Sequence, residues 1–194
     1  MTIKVDKVVD AKGLACPMPI VRTKKALEEL TSGQVIQLQS TDKGSLADIK
    51  SWAKTTGHQY LGSNQEGSVF HHFIRKSDPS EVKAERKYPH IISNEQLEQQ
   101  IKENTNIKIV DVREPAEFTF SRIPGAVSIP LGELEQRLPE LNQADDIYVV
   151  CRTGSRSDMA AQLLAEHGFT HIKNVVPGMS EWKSMIETDH NEKR

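Results

Sequence analysis

Ile147-Tyr148-Val149-Val150-Cys151-Arg152-Thr153-Gly154-Ser155-Arg156 runs a buried-type strand straight into a cysteine and a short polar loop. Branched and aromatic residues without alternation mark a strand covered on both faces. After the loop, Asp158 to His167 is amphipathic and closes at Gly168, which predicts a helix. A thiol at the carboxyl end of such a strand stands where open α/β sheets bind ligands. Loop amides can turn onto its sulfur, the helix adds its positive end, and Arg152 and Arg156 add formal charge. All three favour the thiolate, which is the nucleophilic form. Cys151 is therefore the candidate catalytic residue. Arg152, Thr153, Gly154, Ser155 and Arg156 form the candidate substrate-binding loop, able to hold an anion such as thiosulfate or phosphate.

Around this stretch the pattern is α/β. Ile91-Ile92 precedes a helix from Asn94 to Glu103 with Ser93 as N-cap, and Ile107 to Val112 reads as a second buried strand. After an irregular stretch, Leu131 to Leu138 predicts a short helix stopped by Pro139; His171 to Val175 predicts a strand and Met179 to Ile186 a last helix. Strands alternating with helices indicate a mostly parallel sheet covered on both faces, an α/β/α domain.

The first half reads differently. Val5 to Val9 and Val35 to Gln39 alternate as strands, while Pro17 to Leu30 and Ser45 to Lys54 carry helical periodicity. Tyr60-Leu61 and Val69 to Ile74 flank the turn signal Ser63 to Gly67, giving a hairpin. The order β-α-β-α-β-β implies a two-layer sandwich with both helices on one face. Between the halves, Lys76 to Pro89 is polar, lacks apolar periodicity and carries two prolines. The expected organisation is a domain at 1–76, a linker at 77–89 and a domain at 90–194. Met1 to Ser77 holds 11 Lys/Arg against 7 Asp/Glu, and His90 to Arg194 holds 11 against 17. A mildly basic body is thus tethered to an acidic one.

Composition narrows the function. No apolar run reaches the ~20 residues of a membrane span, and the first ten residues lack a signal-peptide core. The expected location is cytoplasmic. There is no dense basic stripe for direct nucleic acid binding. Two cysteines without spaced histidines imply neither a structural disulfide nor a metal, and no cofactor is expected.

Cys16 is the second chemical candidate. In Gly13-Leu14-Ala15-Cys16-Pro17-Met18-Pro19 a proline suited to a first helical turn follows the thiol. That places Cys16 near the N-cap, where free amides and the macrodipole are expected to depress its pKa.

Two resemblances follow from these residues. Cys151-Arg-Thr-Gly-Ser-Arg-Ser157, with Asp111-Val-Arg-Glu114, Glu117-Phe118, Ile123-Pro-Gly-Ala126, Ile129-Pro130, Gly178 and Trp182, resembles the single-domain rhodaneses over about His90 to Met185. Arg122 departs from that signature, which usually has His there. Gly13 to Ile20, with Thr41-Asp-Lys-Gly-Ser45 and Asp48-Ile49, resembles the TusA/SirA sulfur carriers over about Lys4 to Lys76.

The first resemblance implies a sulfurtransferase. The Cys151 thiolate takes a sulfane sulfur from thiosulfate or a low-molecular-weight persulfide, and an acceptor thiol or sulfur-acceptor protein receives it. The second implies that Cys16 also carries a persulfide. Together they suggest a relay from Cys151 to Cys16. The alternatives are a docking carrier for tRNA thiolation or cofactor assembly, and a thiol-based redox sensor. A phosphatase of the dual-specificity cell-cycle type shares the rhodanese fold, but its loop places Arg six positions after Cys, and here Arg156 is five positions on. Asp111 and Arg113 are expected to support structure, and Asp42 to cap the second helix.

Overall fold

The computed structural model describes residues 3–78, 87–103 and 106–189. They form two compact units, one within 3–78 (with Asp189) and one within 87–188. Of the expected linker, residues 79–86 lie outside the described residues, as does the polar tail from 190. No helix among the described residues is long and apolar enough to cross a membrane.

The first unit runs β1 (Lys7–Ala11), α1 (Met18–Glu28), β2 (Val35–Ser40), α2 (Ser45–Thr55), β3 (Gln59–Glu66) and β4 (Val69–Arg75), the order expected. The strands lie as β1-β2-β4-β3, with β1 parallel to β2 and the other pairs antiparallel. Alternation along the strands builds the core: Val9, Ala11, Ile36, Leu38 and Ile74 meet Ala26 and Leu27 of α1 and Ile49 and Ala53 of α2. The hairpin turns later than its polar residues suggest. Ser63, Asn64 and Gln65 pair with His72, His71 and Phe70, and the turn is Gly67-Ser68. Gly67 has φ +60°, the left-handed first position that a type II′ loop reserves for glycine. Ladder pairing thus overrides the turn preference of the residues before it.

His71 and His72 point to opposite faces, as the strand period requires. His71 Nδ1 lies 2.8 Å from Gln37 Nε2. His72 is fully buried, and that burial, helped by the neighbouring His71, pushes its pKa down to about 4. The neutral ring sits 2.9 Å from Ser45 Oγ and 3.0 Å from the Tyr60 hydroxyl. Ser45 donates its one proton to the Asp42 carbonyl at 2.5 Å. It must therefore accept from His72 Nε2–H, which leaves Nδ1 to accept from Tyr60. This chain fixes the turn that carries Asp42.

The second unit comprises β5 (Ile91–Ser93), α3 (Asn94–Glu103), β6 (Ile107–Asp111), α4 (Pro115–Phe120), β7 (Val127–Ser128), α5 (Leu134–Arg137), β8 (Asp146–Val150), α6 (Ser155–Glu166) and β9 (Ile172–Val176). Its sheet has the order β5-β9-β8-β6-β7 with every pair parallel. The unbroken apolar run of β8 is explained by two cores. Ile147, Val149 and Cys151 pack with Ala160, Ala161 and Leu164 of α6, while Tyr148 and Val150 pack with Leu97 of α3 and with Ile123. Each such buried aliphatic side chain contributes about 1.5–3 kcal/mol, so the strand that carries Cys151 is held from both sides.

Ser93 caps α3 as expected. Its Oγ accepts from the Gln96 amide at 3.2 Å, and Gln96 Oε1 accepts from the Ser93 amide at 2.9 Å, a capping box. Three expectations need correction. The stretch after β6 holds α4, which starts on Pro115 with a capping box between Glu114 and Glu117. Around α5 the chain is a tight 3₁₀–α–3₁₀ run over 131–140, and Pro139 lies inside the last turn instead of stopping it. The last helix is only the 3₁₀ turn Met179–Glu181. Beyond it the chain is drawn out to form an antiparallel bridge between Glu187 and Arg122, with both amides donating across at 2.9 Å.

Candidate functional site: two unlike cysteines

β8 delivers Cys151 to the carboxyl edge of the parallel sheet, and α6 begins at Ser155, three residues earlier than its apolar pattern suggests. Gly154 is the N-cap in the left-handed region at φ +88°, which lets the loop curl back on the sulfur. Its amide donates to Cys151 Sγ at 3.1 Å. Ser157 Oγ stands 3.3 Å from the same sulfur. Cys151, Gly154 and Ser155 are buried, whereas Arg152 and Thr153 are half-buried.

Arg156 is held by a carboxylate. Its guanidinium grips Glu117 of α4 through two bonds of 2.8 and 3.1 Å, with the carboxylate wholly buried. The charge expected to attract an anion is thus matched by Glu117, and Arg156 ties the first turn of α6 to α4. Sequence reasoning missed Glu117 as a site residue, although Pro115 followed by Glu117 is a helix-start signal.

A second brace comes from the turn after β9. Met179 and Ser180 amides donate to the Cys151 and Arg152 carbonyls, each at 2.9 Å. Asn94 accepts from the Gly178 amide at 3.2 Å and donates to its carbonyl at 3.0 Å. Asn94, at the head of α3, had shown no functional signal beyond its place after the cap. Asp111 and Arg113 form a buried bidentate pair, and Arg113 also donates to the Ser121 carbonyl at 2.6 Å. Arg122, where the signature differs, lies 5.0 Å over the Phe118 ring and pairs with Glu187 at 3.4 Å.

Cys16 has the opposite surroundings. It is exposed, and α1 begins two residues later, with Pro17 as N-cap. The Met18 amide donates to the Ala15 carbonyl at 3.0 Å. Instead Cys16 shares a shallow pocket with Pro19, Ile20, Asp42, Ser45, Asp48 and Ile49. A Cβ at Gly44 would touch Asp42 Oδ1 at 3.4 Å and Asp48 Oδ2 at 3.7 Å, so two carboxylates converge there. A hydrogen bond to Asp48, then desolvation and the negative charges of Asp48 and Asp42, raise the Cys16 pKa. The expected depression is thus reversed, because the nearest charges are carboxylates and the helix end lies past Pro17. The Asp42 side chain accepts from the Gly44 amide in the turn at 3.0 Å, and its backbone carbonyl accepts from the Ser45 amide at the head of α2 at 3.1 Å.

One prediction arises here. Asp48→Asn removes both the accepting carboxylate and its charge, so Cys16 should be alkylated by iodoacetamide severalfold faster than wild type at neutral pH. The gap should close at high pH, where both thiols are ionised. Peptide mass spectrometry of the Cys16 peptide reads both rates, and equal rates at neutral pH would contradict the assignment.

Residues 7–76 match the family "Sulfurtransferase TusA", and residues 93–185 match "Rhodanese-like domain". YrkF of Bacillus subtilis (strain 168), named as a candidate sulfur carrier, is 47% identical over 185 residues, covering 95% of this chain and 100% of that protein. The sulfur carrier protein TusA of Allochromatium vinosum is 47% identical over 72 residues, 37% of this chain and 95% of that one. A rhodanese-like domain protein of Staphylococcus aureus shares 30% identity, covering 52% of this chain and 98% of that chain, with a TM-score of 0.49.

Proposed function

Since this chain belongs to the sulfur carrier and sulfurtransferase family that joins a TusA domain to a rhodanese-like domain, we propose that it moves sulfane sulfur from a small donor through Cys151 to Cys16. The observation that carries this direction is the contrast between the two thiols. Cys151 lies in a loop whose Gly154 amide already donates to Sγ, an arrangement that favours charge on sulfur. Cys16 stands among carboxylates that raise its pKa and repel an anion. An anionic donor such as thiosulfate therefore meets Cys151 first.

In the loading step the Cys151 thiolate attacks the sulfane sulfur, the donor's S–S bond breaks, and sulfite leaves with the electron pair. The outer persulfide sulfur stands ~2 Å beyond Sγ. In the transfer step the exposed Cys16 thiol loses its proton to solvent, its sulfur attacks the outer sulfur, and Cys151 leaves as thiolate with the electron pair of the broken S–S bond. Arg152 is the loop arginine assigned to the approaching anion, with Thr153 and Ser155 completing the loop. Met18, Val21 and Leu46 are exposed on the first turns of α1 and α2, which suits Cys16 to discharge onto a protein acceptor. A cytoplasmic setting, where both thiols stay reduced, fits this chemistry.

Brief exposure to thiosulfate followed by peptide mass spectrometry tests the order. Wild type should carry added sulfur on both cysteines. Cys151→Ser should leave Cys16 unloaded. Cys16 loading at the native rate in Cys151→Ser would overturn the order.

A further inference from the structure

Ser157 and Asn174 belong to a closed ring of hydrogen bonds beneath the Cys151 sulfur. Gly154 N–H donates to Cys151 Sγ at 3.1 Å, and Asn174 Nδ2 donates to the Gly154 carbonyl at 3.1 Å. Ser157 Oγ lies 2.6 Å from Asn174 Oδ1 and 3.3 Å from Sγ. Ser157 and Asn174 are 0% exposed and Cys151 is 1% exposed, so these contacts lie away from bulk solvent. The Asn174 amide is oriented by the ring, since a flipped amide would set its oxygen against the Gly154 carbonyl. An asparagine in the middle of an apolar strand is itself unusual and signals a polar task.

The Ser157 hydroxyl has one proton and two acceptors. With the sulfur protonated, S–H donates to Ser157 Oγ and Ser157 donates to Asn174 Oδ1. With the sulfur anionic, the S–H donor is gone and a charge-assisted bond to Sγ becomes the stronger choice. We propose that Ser157 is a positioning residue whose hydroxyl follows the charge on Cys151, turning from Asn174 Oδ1 to Sγ whenever that sulfur is a thiolate. The proposal rests on Cys151 being the sulfur-loading nucleophile.

The turn occurs at defined points. Before loading, Sγ is a thiolate with two donors, the Gly154 amide and the Ser157 hydroxyl. As its electron pair bonds the sulfane sulfur and sulfite departs, charge moves to the outer sulfur, and the Ser157 proton returns to Asn174. When the acceptor thiolate takes the outer sulfur, the S–S bond breaks with its pair on Sγ, and Ser157 turns again. Ser157 thus stabilises the starting thiolate of one half-reaction and the leaving thiolate of the other. No oxidant or further acid is needed.

The test uses the full chain and follows Cys151 alkylation by iodoacetamide against pH. Ser157→Ala should shift the midpoint upward and slow alkylation at pH 7 about tenfold, the usual scale for one hydrogen bond to a charged group. Ser157→Thr, which keeps a hydroxyl, should restore the profile to within about threefold. A folded Ser157→Ala that titrates as wild type overturns the proposal. A readout in wild type removes dependence on that variant. Isotope-edited infrared of the asparagine side-chain carbonyls, taken as wild type minus Cys151→Ser, should show one band rising in frequency as Cys151 ionises, and an unchanged band also overturns it. Neither arm needs sulfur transfer, so a Cys151 that never loads sulfur would sink the functional reading while leaving Ser157 to be judged separately.

Discussion

Gly178→Ala is expected to destabilise the second unit by about 3 kcal/mol or more and to abolish loading of Cys151. Two costs combine at this position. Gly178 has φ +84°, and a Cβ there would lie 2.4 Å from the Cys151 carbonyl oxygen and 3.2 Å from that of Arg152. Both obstacles are backbone, so no side chain can swing aside. Relief would require the turn to lift from the loop, breaking the bonds from Met179 and Ser180 to those carbonyls and the Asn94 clasp. Gly125 supplies the control, since it has φ +77° with open space around its Cβ position. Gly125→Ala should cost only the left-handed conformation, about 1 kcal/mol. Urea unfolding followed by Trp182 fluorescence in a Trp52→Phe background, with thiosulfate loading measured alongside, separates the two. Equal losses for both variants would contradict the close-approach argument.

Glu117→Ala should be almost as damaging, at about 3 kcal/mol, because it removes the buried carboxylate that holds the Arg156 guanidinium. The Arg156 side chain is 14% exposed and that of Glu117 0%. The double variant Glu117→Ala with Arg156→Ala should lose clearly less than the sum of the singles, since each single change already breaks the pair that both share. Additive losses would mean that Arg156 has another principal partner. Loading should fall in Glu117→Ala as the first turn of α6 loses its tie to α4.

Much of the fold was readable because periodicity and cores coincide. The unbroken run at Ile147–Val150 predicted a strand with two covered faces, and two separate cores meet it. The misplaced elements are those where tertiary contacts outweigh local pattern. Met179 to Ile186 has helical spacing, but the chain is drawn off to pair with Arg122. Ser63 to Gln65 are turn-formers that β4 holds in a ladder.

At the sites, residue type was legible and charge partnership was not. Cys151 and its loop stood out from spacing alone. Nothing in the spacing of Cys16 and Asp48 reveals a hydrogen bond between them, because it depends on how α1 and α2 face each other. Likewise Arg156 reads as a free cation until α4 brings Glu117 against it. Ser157, in the first turn of α6, and Asn174 of β9 are separated by the rest of that helix, and only the parallel sheet returns Asn174 to Ser157.

The most direct measurement is a rapid-quench time course with thiosulfate carrying an isotope-labelled sulfane sulfur, scored by label on the Cys151 and Cys16 peptides. The account predicts that label appears on Cys151 without delay, then on Cys16 after a lag as the Cys151 signal levels. Label reaching Cys16 first, or rising on it at the same rate when Cys151 is replaced by serine, would contradict it.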